Sequence, residues 1–419
     1  MQGFQDYIVE DKNTHLEHLE DEIINNGSKG ARTAIEFLKS IKDMLQGAEG
    51  GSQISVKWDG APAIFCGTNP ENGKFFVATK SLFNATPKIN YTNADIKRNH
   101  GGALADKLTV ALKYFPKLGI KGILQGDLLF TSDDKSRAKV DGQDSIVFTP
   151  NTISYAVPVV KTGLLGSSLY TRINKAKIGI IFHTSYSGKT IKGLSASFGA
   201  SVSGLKSNKD VFFDDAMYKQ TNPGFTRAEA IAFDNIIRMS EGSAYKAGKF
   251  IDKIKKDKNT LSLGVQLKTF FNTYIREGTP IANTKALANN FEVYFKQKIQ
   301  KEIDSKKQAS TKQKYEEIRE VGMRILRADR EGLYFAIATY ITFQSAKAVL
   351  MKKLNNIQSI GSFLRTKDGF KVTNPEGYVA IKQSGAVKLV DRLEFSRANF
   401  NMAKNWVKGL WQKKKLKKK

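Results

Sequence analysis

Hydrophobic positions fall into three textures along the chain. In the first fifty residues Ile24, Ala34, Phe37, Leu38 and Ile41 are spaced as the apolar stripes of a helix, which Gly47, Gly50 and Gly51 stop. From Gln53 to about Tyr186 the apolar residues gather into short β-rich runs at 54–58, 63–66, 75–79, 123–130, 145–149 and 178–184, with 103–114 the clearest helical exception. Residues 187–208, rich in Gly, Ser and Lys, read as a boundary or a long loop. Helical spacing returns at 228–239, 315–328 and 333–354, where Pro280 is the single proline between Pro223 and Pro375. Two β-runs follow at 377–382 and 387–390, joined by Gln383, Ser384 and Gly385 in the manner of a hairpin.

This order predicts an α+β fold: a helical leader (1–50), the first part of a β-rich core (51–208), an all-helical insertion (209–368), closing strands (369–400) and a basic tail (401–419). An interrupted domain explains it better than three independent ones, because a lone hairpin is not stable by itself. No internal repeat is found. The lysine run at 413–419 reads as a solvated tail, at most a nonspecific phosphate contact.

Composition sharpens the picture. A chain of 419 residues, 41% hydrophobic, can build two or three packed cores, which sets disorder aside. Its 67 Lys and Arg against 40 Asp and Glu give a net charge of +27. Such an excess attracts polyanions and releases their counterions on binding; the blander reading is a highly charged soluble protein. With Cys66 the single cysteine, a disulfide framework and a Cys-rich zinc site are excluded, and a reducing compartment is expected. Residues 1–10 carry acids and amides where a secretory signal needs a basic start and an apolar stretch, and no apolar run is long enough to span a bilayer. A cytoplasmic protein without a membrane partner is the expectation.

Candidate chemistry begins at the end of the first β-run, with Lys57-Trp58-Asp59-Gly60. Alone, this reads equally as a strand ending in an Asp-Gly turn. Further segments follow in order: Phe76-Val77-Ala78-Thr79-Lys80, then Leu124-Gln125-Gly126-Asp127-Leu128-Leu129-Phe130, then Ile178-Gly179-Ile180-Ile181-Phe182-His183. Glu376-Gly377-Tyr378-Val379-Ala380-Ile381-Lys382 and Ala386-Val387-Lys388-Leu389-Val390 close the series.

Together these segments resemble the motifs of the covalent nucleotidyltransferase superfamily, which contains the ATP-dependent RNA and DNA ligases and the mRNA capping enzymes. The resemblance covers about residues 53–186 and 375–400, under half the chain. It implies a ligase-like core in which Lys57 takes up a nucleotide covalently, assisted by Lys382 and Lys388. A lysine attacks phosphorus only as the free amine, so neighbouring cations or a metal have to lower its proton affinity. The resemblance further implies nucleotide contacts from Asp59, Gly60, Thr79, Lys80, Asp127, Phe182 and Glu376, with Phe182 stacking on the purine. Asp127 and Glu376 would hold Mg²⁺ or Mn²⁺ through oxygen. ATP is the implied cofactor, and nucleic acid, RNA before DNA, the implied partner.

The sequence departs from the family pattern in four places. Ala61 and Pro62 follow Gly60 where many members have an arginine, Asp127 stands where glutamate is usual, Lys382 lies one residue further from Glu376, and Val390 replaces a second lysine. The short run after Lys388 leaves no room for a C-terminal OB-fold, which DNA ligases and capping enzymes carry and RNA ligases do without. An RNA ligase is thus the expectation. A DNA ligase or capping-type guanylyltransferase is the alternative enzyme. A nucleic-acid-binding or virion protein that keeps the fold without turnover is the alternative of another class. Residues 125–130, 148–157 and 179–186 also resemble proteins of large tailed phages, which implies a phage origin and a host cytoplasm.

In the insertion, Lys246, Lys249, Lys253, Lys255, Lys256 and Lys258 are dense enough to suggest a phosphate-gripping surface, centred on Lys253, Lys255, Lys256 and Lys258; a solvated helix face explains them equally. His15 and His18 lack a third ligand, His100 and His183 are unpaired in sequence, and Asp133-Asp134 reads as a solvated loop. Trp406 and Trp411 read as packing of a final helix.

Overall fold

A computed structural model of the chain describes residues 16–48, 52–159, 164–218, 224–255, 261–355, 361–366, 369–372, 375–382 and 385–397. The protein is mixed α+β, and its strands pair across long sequence distances.

Strand β1 (Gln53–Lys57) lies antiparallel to β13 (Gly377–Lys382), which pairs in turn with β14 (Gly385–Val390). The expected closing hairpin is therefore anchored to a strand more than 300 residues earlier, which supplies the third strand a hairpin needs. The second sheet has the order β10-β8-β4-β2-β3. It is built from β2 (Ala63–Thr68), β3 (Phe75–Ala78), β4 (Ile123–Thr131), β8 (Ile178–Ser187) and β10 (Val211–Asp215), with β9 (Ser195–Phe198) added on β8. Central β4 is buried along most of its length, and only Gln125 and Asp127 interrupt its apolar run, both on one face. In the third sheet, β12 (Gly369–Val372), β11 (Gly361–Thr366), β7 (Ile153–Pro158), β6 (Gln143–Phe148) and β5 (Ser136–Val140) follow one another.

The stretch expected to be all-helical is so only from Arg227 to Leu354. Its helices are α5 (Arg227–Ile254), α6 (Leu263–Glu277), α7 (Thr284–Asp304), α8 (Ala309–Ala328) and α9 (Arg330–Leu354). Residues 211–215 and 361–372 are strands, because β10 runs parallel to β8 and β11 pairs with β7, partners that local periodicity cannot reveal. Short helices α2 (Asn93–Asn99), α3 (Gly102–Tyr114) and α4 (Leu164–Lys175) belong to the β-rich part.

The N-terminal helix α1 (Glu22–Leu45) is no separate leader. Its Ala34, Phe37, Leu38 and Ile41 share one core with Phe233, Ile237 and Phe250 of α5 and Ile337, Tyr340 and Phe343 of α9. Ile54, Tyr378, Ala380, Val387 and Leu389 enter the same core, so the three-stranded sheet gives one face to the helices and frees the other for the six-stranded sheet. Beside it runs a network of buried charge. Lys347 reaches Glu20 at 2.6 Å, and Arg392 donates to Asp21 at 3.0 Å and to the Tyr340 hydroxyl at 2.7 Å. Lys268 reaches Glu17 at 2.6 Å. Buried ions cost several kcal/mol each when unpaired, so these partners hold the N-terminal segment, the helices and the chain after β14 in one arrangement.

Candidate active site

Between the three-stranded and six-stranded sheets lies a cavity of about 320 Å³. Strand alternation decides what enters it. Ser55, Val379 and Lys388 stand opposite one another across β1, β13 and β14, and all three face the cavity. Lys57, two residues beyond Ser55, keeps the same face at the end of its strand. From the opposite sheet come Ala63 and Phe65 of β2, Gln125 and Asp127 of β4, and Ile181, His183, Thr184 and Tyr186 of β8. Lys80 and Phe83 reach in from a 3-10 turn (Lys80–Phe83), whose amides Thr79 caps through its hydroxyl. Leu16 adds a contact from the N-terminal segment.

The ammonium of Lys57 is ion-paired to the buried carboxylate of Glu376, which stands just ahead of β13 and next to Gly377, the residue opposite Lys57. Burial pushes the Glu376 carboxyl up from its ordinary value, and the Lys57 charge opposes this. Lys388 is pushed down to about 8, first by burial and then by the charge of Lys57. Its amide donates to the carbonyl of Glu17 at 2.9 Å, so the N-terminal segment fixes the backbone that carries it.

Asp127 faces the cavity with its carboxylate 3.7 Å from His183 Nε2. The register of β4 against β8 shifts between Gln125 and Gly126, an irregularity beside His183 of the kind that re-aims side chains near functional sites. Gly60 matches its motif for a packing reason: a Cβ there would stand 2.6 Å from Asp127 Cβ and 2.9 Å from the Leu128 carbonyl oxygen. Only glycine lets the chain after Lys57 run this close to β4.

Several residues expected in the site lie elsewhere. The Asp59 carboxylate is buried and accepts from Asn151 Nδ2 at 2.7 Å and from the amides of Thr152 and Ile153, each at 2.6 Å. These three bonds take most of the carboxylate's acceptor capacity and commit it to the loop before β7. Phe182 alternates with Ile181 and His183, so it points away from the cavity into the core, edge-on to Phe115 at 6.4 Å. Lys382 lies three residues beyond Val379, hence on the helix-facing side of β13, with its ammonium 5.9 Å from the Phe37 ring centre. Thr79 acts as a cap, and its neighbour Lys80 is the residue at the cavity wall. Lys253 and Lys255 are exposed and do not line the cavity, and Lys256 and Lys258 lie outside the described residues.

Sequence reasoning missed His183, Gln125 and the aromatic wall. Phe65, Phe83 and Tyr186 pack against one another, edge-on or tilted, with centres 5.2 to 5.5 Å apart, and the Tyr186 hydroxyl donates to Gln125 at 2.8 Å. The alternation that placed Phe182 inside the core could have found Tyr186. Asp133-Asp134 is no site either, since Asp134 caps its own turn by accepting from the Thr131 amide at 2.7 Å.

Among the described residues no group of three or more His, Cys, Asp or Glu side chains is placed to hold a metal ion. Asp127 and Glu376 still suit a hard cation in kind, because Mg²⁺ takes oxygen ligands and fills its remaining positions with water and substrate phosphates. No helix among the described residues is long and apolar enough to cross a membrane.

The model of DUF6267, a family of unknown function, matches residues 13–404, and the chain belongs to that family. No curated protein and no solved structure matches it.

Proposed function

From membership of a family without an assigned activity, we propose that this chain is an ATP-dependent polynucleotide ligase, acting on RNA, with a nucleotidyltransferase core and Lys57 as the residue that takes up AMP. The observation that carries the reading is that Lys57 and Lys388 line one cavity while Glu376, just ahead of β13, is ion-paired to Lys57, a grouping that β1, β13 and β14 bring together across more than 300 residues.

The residues divide the work. Lys57 attacks the α-phosphorus of ATP as a free amine, and Glu376, bonded to it and made more basic by burial, stands ready to take the proton. The N–P bond forms as the P–O bond to the β-phosphate breaks, and pyrophosphate leaves with the electron pair. Lys388 and Lys80 supply positive charge for the phosphate oxygens, in a recess where such charge is worth more than in water. Phe65, Phe83 and Tyr186 offer the base an apolar wall, the part first expected of Phe182. A 5′ phosphate then displaces AMP from Lys57, and a 3′ hydroxyl displaces AMP from the 5′ end. Asp127 would hold Mg²⁺, with Glu376 left to Lys57, and the ion would neutralise phosphate charge during nucleotidyl transfer.

Incubation with radiolabelled ATP and, separately, GTP, followed by denaturing electrophoresis, tests the reading. ATP label on the protein supports it. GTP label alone would favour the capping-type reaction. The absence of both would favour a nucleic-acid-binding protein without turnover, the reading that the outward placement of Lys382 favours.

A further inference from the structure

Helix α5 separates its charges. Its four acids are all engaged: Glu229 with Lys353 at 2.6 Å, Asp234 with Lys42 at 2.6 Å, Glu241 with Lys39 at 2.7 Å, and Asp252 with the Ser28 amide at 2.8 Å. The last three contacts tie α5 to α1. Its exposed cations Arg238, Lys246, Lys249 and Lys253 pair with no carboxylate among the described residues. Arg238, Gly242, Tyr245, Lys249 and Lys253 are spaced four, three, four and four apart, which places them on one stripe about 22 Å long.

Two details make this more than a solvated face. Tyr245 is 89% exposed on the stripe, with no core of its own to fill. Gly242, between Arg238 and Tyr245, is the poorest helix former short of proline, yet a Cβ there would meet nothing within 4 Å. No internal packing accounts for it. A missing side chain beside a flat ring and a row of cations suits a chain laid close along the helix.

We propose that this stripe of α5 binds single-stranded nucleic acid, with Lys249 and Lys253 on neighbouring phosphates, Arg238 on a phosphate further along the same strand, and a base stacked on Tyr245. The site deepens the ligase reading by naming where the polynucleotide is gripped away from Lys57, and it moves the contact from the lysines after the helix to the helix itself. Phosphates supply the charge complementarity. Stacking selects an unpaired strand, because a duplex keeps its base faces covered.

The test measures binding of fluorescent oligouridylate, oligothymidylate and a duplex of equal length across a salt series, with the full chain. The parent is expected to bind both single strands more tightly than the duplex, and the uridylate arm against the thymidylate arm reports any RNA preference. Changing Arg238, Lys249 and Lys253 together to glutamine should flatten the slope of log affinity against log salt by about 2 units, roughly 0.7 for each cation removed. Tyr245→Ala should weaken binding about tenfold or more, and Tyr245→Phe should restore it. Gly242→Gln should raise the melting temperature and yet weaken binding, an outcome that misfolding cannot produce. Unchanged affinity and salt slope in the triple variant overturn the proposal, as does equal affinity for the duplex. Labelling of Lys57 by ATP in the same preparations separates the two readings: loss of oligonucleotide binding with labelling intact is the expected pattern, and a parent that binds but never labels refutes the ligase reading alone.

Discussion

Lys57 and Glu376 stand 319 residues apart in sequence and are ion-paired in the fold. The pairing follows from register, since β1 and β13 run antiparallel with Lys57 opposite Gly377 and bring the residue just before β13 beside the lysine. Lys57→Ala should abolish the covalent nucleotide adduct while the protein stays folded. Lys57→Arg should abolish it too, because a guanidinium does not give up its proton in proteins. Radiolabel retained by either variant refutes the assignment of the nucleophile.

Glu376→Ala should slow adduct formation by about a hundredfold or more, which corresponds to ~2.7 kcal/mol of barrier. Asp133→Ala, in an exposed turn, should change it less than about twofold. Equal losses measured by initial rates of labelling would show that Glu376 has no special part.

Proton linkage gives a separate handle on Lys388. Its folded pKa is pushed down to about 8 from an ordinary 10.5, so between those values the folded state binds fewer protons than the unfolded state. The contribution of this group to stability therefore rises with pH from about 8 to 10.5 and is flat below. Denaturant titrations should show the parent gaining on Lys388→Met across that window and on neither side of it. ATP should draw a proton back onto Lys388, seen at pH 8.5 as a calorimetric binding heat that depends on the buffer's ionisation enthalpy. A buffer-independent heat would place Lys388 away from the phosphates.

The three residues that turn away from the cavity should behave structurally. Phe182→Ala removes a fully buried ring and should cost about 3–5 kcal/mol of stability. Asp59→Ala strips the 151–153 loop of a buried carboxylate acceptor and should cost about 3 kcal/mol. Lys382→Ala should leave the rate of adduct formation within about twofold of the parent. By contrast, Phe83→Ala should weaken ATP binding with little loss of stability, because that ring is only partly buried. Unfolding curves and nucleotide affinities measured on the same four variants check this division.

How much of the site was legible can be traced residue by residue. Lys57, Asp127 and Lys388 line the cavity because each falls on the cavity-facing parity of its strand, and Lys80 because it follows a strand at the cavity's edge. Phe182 and Lys382 were misplaced because a motif names residue types, while a strand's alternation decides which reach the cavity. His183 stands beside a shift in register, and its nearness to Asp127 depends on pairing between strands more than fifty residues apart. The fold divides similarly. Long amphipathic helices such as α5 and α8 announce themselves by period, whereas β11 is a strand only because β7 lies beside it.

The meeting of Lys57 with Glu376 and Lys388 also sets a schedule for the newborn chain. At ~5–20 residues per second, the ribosome needs roughly 20 to 60 s to travel from residue 57 to residue 388. Throughout that interval β1 waits with the edge that β13 will occupy still open, and Lys388 has yet to reach the carbonyl of Glu17. The five helices α5 to α9 are made in between and can form early as single helices, since the backbone hydrogen bonds of a helix are local. Capture of the waiting strand then has to follow the synthesis of β13. Lys57 is made long before the strands that wall its cavity, so a chain that stops short of β13 cannot assemble that cavity.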